Sequence, residues 1–145
     1  MWTRRNIRKF IYAKEATTYD NLLLDGSISN ADVRDNMGES GLHWILYIGR
    51  YNKDVDTDIL ISYLLTCDPP ADVNGITGGG ATPMWRAAFN NKTSAVKVLI
   101  DFGGDRTIKT NSNASCPNST PLDIAKKENN QEIIKLLTEC FPSEE

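Results

Sequence analysis

Few residues in this chain are placed to do chemistry. His43 is the single histidine, so no second imidazole exists for a metal pair, and a cysteine or carboxylate near it in sequence is no evidence of a nucleophile–base pair. The three cysteines, Cys67, Cys116 and Cys140, are odd in number and form no Cys-x-x-Cys pair, which speaks against a disulfide framework or a zinc site. Cys67 and Cys140 follow leucine pairs near helix ends and read as packing residues; Cys116 sits in a polar loop and reads as a free thiol. Asp54, Asp56 and Asp58 alternate as in a calcium loop, but the glycine and the bidentate glutamate that such a loop needs are missing. Gly78, Gly79 and Gly80 share only their glycine content with a phosphate cradle, since no strand precedes them and no Lys-Ser/Thr follows. Asn91, Asn113 and Asn118 each begin an Asn-x-Ser/Thr sequon and read as coincidence in an asparagine-rich chain. The expectation is a protein that is not an enzyme and uses no metal and no cofactor.

Composition sets the remaining bounds. A length of 145 residues suits one domain, and 24% charged with 40% hydrophobic residues is ordinary for a globular chain. The net charge of −3 gives no general attraction to nucleic acid or an anionic membrane. No apolar run approaches the roughly 20 residues that span a bilayer. The basic start, with Arg4, Arg5, Arg8 and Lys9, is followed by no apolar stretch of a signal peptide, and the early Glu15 and Asp20 argue against a transit peptide. A cytoplasmic or nuclear protein is expected, not a secreted one.

What must position these residues is a repeated unit. Gly38-Glu39-Ser40-Gly41-Leu42-His43, Gly80-Ala81-Thr82-Pro83-Met84-Trp85 and Ser119-Thr120-Pro121-Leu122-Asp123-Ile124-Ala125 carry one turn-and-helix pattern. Each precedes a helical apolar pattern that ends in Leu64-Leu65, Leu99-Ile100 or Leu136-Leu137. Ala71-Asp72-Val73-Asn74 and Gly104-Asp105-Arg106-Thr107 then punctuate the chain, with the two aspartates 33 residues apart. A period of this size marks a solenoid.

On these motifs the chain resembles the ankyrin-repeat family. The resemblance implies an all-α solenoid of stacked helix-turn-helix units joined by β-hairpin-like turns. About four repeats are expected: a degenerate N-terminal cap over residues 2–34, a repeat with a long inter-helix insertion over 35–76, a regular repeat over 77–109 and a C-terminal cap repeat over 110–145. The N-terminal cap is expected to hold helices at about 6–15 and 18–24. The stalk after it falls either at 27–30 or at 31–34.

Helix signals within each repeat are local. Ser40 is expected to cap a helix over 42–48 that Gly49 ends; Thr82 caps the next, with Pro83 at its first position. The excess residues after Gly49 form either a protruding loop or an extension of the second helix, capped by Asp56 or Thr57. Ala95, Val96, Leu99 and Ile100 form a buried stripe, as do Ile133, Ile134, Leu136 and Leu137, and Gly103 supplies a left-handed stop. Three consecutive glycines at 78–80 predict an unusually mobile hairpin tip.

The resemblance also implies how the chain works. His43 stands where the family's histidine hydrogen-bonds within and between turns, whereas Trp85 and Asp123 replace it, so those bonds are expected to be lost in two repeats. Family members bind partner proteins with the hairpin tips and the exposed side of the first helices. Carried over by position, the partner-binding candidates are Asn36, Met37 and Glu39 at one tip and Trp44, Tyr47, Ile48 and Tyr51 on the helix after it. In the next repeat they are Gly78, Gly79, Ala81, Trp85, Phe89 and Asn90. The function expected is protein–protein interaction, as an adaptor or inhibitor that is monomeric on its own. The alternative is a nucleic-acid or ligand binder working through the basic N-terminal helix or the long loops.

Overall fold

Each of the three turn signatures starts a pair of helices. The computed structural model describes residues 34, 37–51, 56–67 and 70–139. The expected N-terminal cap lies outside the described residues apart from Arg34, as do Asn36, Asp54 and Cys140. The helices are α1 (Gly41–Tyr51), α2 (Thr57–Thr66), α3 (Pro83–Phe89), α4 (Thr93–Asp101), α5 (Pro121–Lys127) and α6 (Gln131–Thr138). Among the described residues the only extended pairing is an isolated bridge between Arg34 and Ser40, so the molecule is an all-α repeat solenoid.

The helix starts follow from side chains that accept orphan backbone N–H groups. Thr82 accepts from the Trp85 N–H at 3.1 Å, and Pro83 takes the first helical position, where a missing N–H costs nothing. Thr120 and Asp123 form a reciprocal capping box at α5. Of the two caps considered for α2, Asp56 is the one used; it accepts from the Ile59 N–H at 3.2 Å. Asn130 caps α6 in the same way.

Helices α1, α3 and α5 pack side by side in one layer and α2, α4 and α6 in a second, each first helix resting on its own second helix. One continuous core runs between the layers. Leu42, Ile45, Leu46, Ile61, Leu64, Met84, Leu99 and Ile124 are its largest fully buried side chains. Ala87 and Ala88 are buried too, and their size lets α3 approach its neighbours closely. Ile100, Ile134 and Leu136, expected in the core, are only half-buried and pack against its edge.

Two local expectations are corrected. Gly49 does not end the first helix, which continues to Tyr51. Gly49 is buried, and a Cβ there would lie 2.5 Å from Thr57 Oγ1, so glycine serves the close approach of α2 rather than a stop. Part of the insertion is therefore taken up by extra turn in α1. The glycine-rich tip is also held on both sides. The Gly78 N–H donates to the Met37 carbonyl at 3.0 Å, and the Asn111 N–H donates to the Gly79 carbonyl at 2.9 Å. Gly80 has φ +83°, and a Cβ on it would meet the Asn111 backbone nitrogen at 2.9 Å, so close tip-to-tip packing requires the glycine. Gly103, as expected, closes α4 with φ +84°.

The inter-helix turns use asparagine in the same left-handed conformation. Asn91 has φ 57° and Asn129 φ 54°, and asparagine tolerates this region better than other side chains with a Cβ. The Lys92 N–H returns to the Ala87 carbonyl, and the Asn130 N–H to the Ala125 carbonyl, so both turns close alike.

Candidate functional site

The third residue of each first helix is His43, Trp85 and Asp123 in turn. His43 is fully buried. Its Nε2 lies 3.0 Å from the Ala81 carbonyl of the next repeat; because a carbonyl only accepts, this nitrogen carries the proton. Nδ1 then accepts from the Ser40 N–H at 3.2 Å and from the Ser40 hydroxyl at 2.7 Å. Trp85 has only a donor, and its Nε1–H reaches the buried Ser119 hydroxyl of the following repeat at 3.0 Å. The Asp123 carboxylate has only acceptors, and it takes the Thr120 N–H at 2.9 Å within its own turn. The expectation that replacing histidine loses the turn bonds is thus corrected. Histidine joins both ways, tryptophan forward only, and aspartate within its turn only.

The bonds of His43 and Trp85, both buried, hold the layer that carries the candidate surface. Trp44, Tyr47 and Tyr51 form an edge-to-face row along α1, with ring centroids 5.7 and 5.5 Å apart. Trp85 and Phe89 stack on α3 at 5.4 Å with an interplanar angle of 8°. Arg50 joins the two rows: its guanidinium lies 5.7 Å from the Tyr51 ring centroid and 5.4 Å from that of Phe89. Asn90 sets this arginine in place. Its carbonyl oxygen accepts from Arg50 Nη1 at 3.2 Å while its amide donates to the Leu46 carbonyl at 3.1 Å. One aromatic surface therefore runs from α1 to α3, and its link is a guanidinium rather than direct contact of the Tyr47 and Phe89 rings.

The sequence-predicted residues divide by burial. Met37, Tyr47 and Tyr51 are exposed by 67%, 45% and 69%. Trp44, Ile48 and Phe89 are half-buried against the core, with part of each side chain outside. Gly78 is exposed at the tip and Gly79 half-buried, their backbones engaged with the neighbouring tips. Glu39 forms an ion pair with Arg86 at 2.7 Å, and both side chains are mostly covered. Ala81, Trp85 and Asn90 are buried to within 7% exposure, because each makes bonds inside or between repeats; they position the face rather than present it. Asn36 lies outside the described residues. Reasoning from sequence missed Arg50. The signal available was its place beside Tyr51, but contact with Phe89, 39 residues on, is tertiary.

No group of three or more His, Cys, Asp or Glu side chains converges among the described residues. No helix among them is long and apolar enough to cross a membrane. Cys67 points its thiol at the Tyr63 carbonyl at 3.1 Å, and Cys116 lies 3.3 Å from the Lys127 ammonium.

Comparison with known proteins agrees with the architecture. The family model for ankyrin repeats in three copies matches residues 55–144, more than half of the chain. The chain belongs to the ankyrin-repeat family. An ankyrin repeat protein of Rickettsia bellii (strain RML369-C) is 33% identical over 71 residues, an alignment covering 49% of this chain. The chain spans only 39% of that relative's length. Ankyrin repeats are generally protein–protein interaction modules and typically not enzymes, and the face built from their tips and first helices is here the one bearing the aromatic rows.

Proposed function

We propose that the chain is a protein-binding module that uses the tips and the first-helix layer as its contact face, acting as an adaptor or inhibitor of the partner it covers. The observation that supports this is the aromatic surface of Tyr47, Tyr51 and Phe89, held by Arg50 and Asn90 on a hydrogen-bonded scaffold. Tyr47 and Tyr51 project large rings where packing does not require them. Large rings on a rigid face supply contact area at little entropic cost, which is what binding anchors do.

The test needs stability and binding on one variant. Tyr47→Ala/Phe89→Ala removes surface area, so unfolding free energy is expected to fall by about 1–2 kcal/mol, with half-buried Phe89 contributing most. Affinity for a partner isolated with the wild-type chain should fall by at least about 2 kcal/mol. A folded variant with unchanged binding moves the contact face elsewhere.

A further inference from the structure

The two layers of the solenoid differ in charge. The first helices carry Arg50, Arg86, Lys126 and Lys127 against one carboxylate, Asp123. The second helices carry Asp58, Asp101 and Glu132 against Lys97 and Lys135. Although the net charge is −3, four of the six cations on the described helices stand on the first-helix layer.

The anions on that face are already engaged. Glu39 is paired with Arg86 at 2.7 Å. The Asp123 carboxylate accepts the Thr120 N–H in the capping box. Arg50, Lys92, Lys126 and Lys127, in contrast, make no ion pair with any described residue. Arg50 is exposed beside the rings, whereas the half-buried Lys92 stem passes 3.4 Å from the Cβ position of Gly49, on the side of α1 that meets Thr57. The seventh residues of α1, α3 and α5 are Tyr47, Phe89 and Lys127, so one register position reads ring, ring, ammonium across the repeats.

We infer that this face receives an acidic segment of a partner protein, extended across α1, α3 and α5. An apolar side chain of the segment rests on Tyr47, Tyr51 and Phe89, and its carboxylates meet Arg50 and Lys127. The inference rests on the proposed reading of this face as the binding surface and adds the chemistry of the occupant. Charge complementarity sets orientation and encounter rate, while the rings supply contact area. A single-stranded nucleic acid suits the face less well. Among the described residues the cations beside the rings are too few to track a run of phosphates, while the apolar rings suit a side chain of a peptide.

The experiment is selection of a random dodecapeptide phage library on the immobilised full chain. Selected peptides are then synthesised and titrated by fluorescence anisotropy, with an oligothymidylate of similar length alongside. Peptides rich in Asp and Glu around an apolar residue are expected, weakening as salt rises. Lys127→Glu, on an exposed side chain, should weaken them about three- to tenfold, and Tyr47→Ala/Phe89→Ala more. Selection on the Lys127→Glu chain should shift the enriched peptides toward Lys and Arg. Peptides that need Tyr47 and Phe89 but show no acidic excess overturn the inference and leave the binding face standing. Acidic peptides indifferent to the aromatic pair overturn both. Failure to enrich any peptide, or tighter binding of the oligothymidylate than of every peptide, also overturns the inference.

Discussion

His43, Trp85 and Asp123 show how one residue position adapts to its place in the array. Histidine offers a donor and an acceptor and joins its own turn to the next repeat; tryptophan keeps the donor, and aspartate the acceptor. Asp123 needs no forward bond, since no described repeat follows it. His43→Ala leaves a cavity where the fully buried ring was, takes the acceptor from the Ser40 N–H and removes one of the two donors to the Ala81 carbonyl, which keeps the Thr77 N–H; it is expected to cost about 2–4 kcal/mol. Trp85→Phe keeps the stacked ring and loses one neutral hydrogen bond. Ser119 retains the Cys116 carbonyl and the Thr110 hydroxyl as partners, so the cost should be about 0.5–1.5 kcal/mol. Urea unfolding of both variants measures the difference, and a Trp85→Phe variant as damaged as His43→Ala would contradict this division of roles.

Asp105 makes a second residue-scale case, with a sign in pH. The Thr107 hydroxyl, then the Thr107 N–H, hydrogen-bond its carboxylate and hold its pKa below the ordinary carboxylate value. A folded-state pKa below the unfolded one stabilises above the unfolded value, and the contribution is lost as pH falls from there through the folded pKa. Asp105→Asn should therefore melt at a lower temperature than wild type near neutral pH. The gap should narrow as pH falls below about 4, where the wild-type carboxyl takes up its proton. Thermal melts at the two pH values read this directly; a gap that widens in acid would reverse the sign.

Among the elements, α1 and α2 depart furthest from a regular repeat. The helix passes through Gly49 because hydrogen bonding continues and because the glycine admits Thr57. Gly49→Ala is a good helix substitution by propensity, worth roughly 1 kcal/mol in an open site. The contact at 2.5 Å opposes it, and overpacking of this kind costs about 1–3 kcal/mol. The clash is expected to win, giving a destabilised variant, and Thr57→Ala in the same chain should restore part of the loss. A double-mutant cycle without coupling would place the constraint elsewhere.

At the scale of the molecule, stability is a sum of neighbour interfaces along the array. Leu99 is fully buried in α4, which packs against α2, α3 and α6, whereas Leu137 sits in α6 with 4% exposure and no described helix beyond it. Leu99→Ala is expected to cost about 2–5 kcal/mol and Leu137→Ala less, because the outer site can relax toward solvent. Equal losses would argue that the repeats melt as one body without graded interfaces.

Much of this organisation is legible in the sequence because it is local. Thr82-Pro83 and Thr120-Pro121 announce helix starts through hydroxyl acceptors and a proline that needs no N–H, and those bonds close within three residues. The 33-residue spacing and the apolar stripes likewise specify stacked helix pairs before any contact is known. The family resemblance anticipated that His43 bonds both within its turn and to the next repeat, as it does with Ser40 and Ala81. The other contacts between repeats were not legible, because they join residues far apart in the chain: Trp85 with Ser119, Arg50 with Phe89 and Asn90. The family resemblance, carried over by position, put Ala81, Trp85 and Asn90 among the candidate contact residues, and only tertiary packing turned them inward. By itself the sequence determined the repeat, the helix caps and the row of exposed rings, since each depends on neighbours in the chain. The tertiary structure decided which polar groups are spent holding repeats together and which described cations lack an ion pair, since that depends on donors and acceptors meeting across the stack.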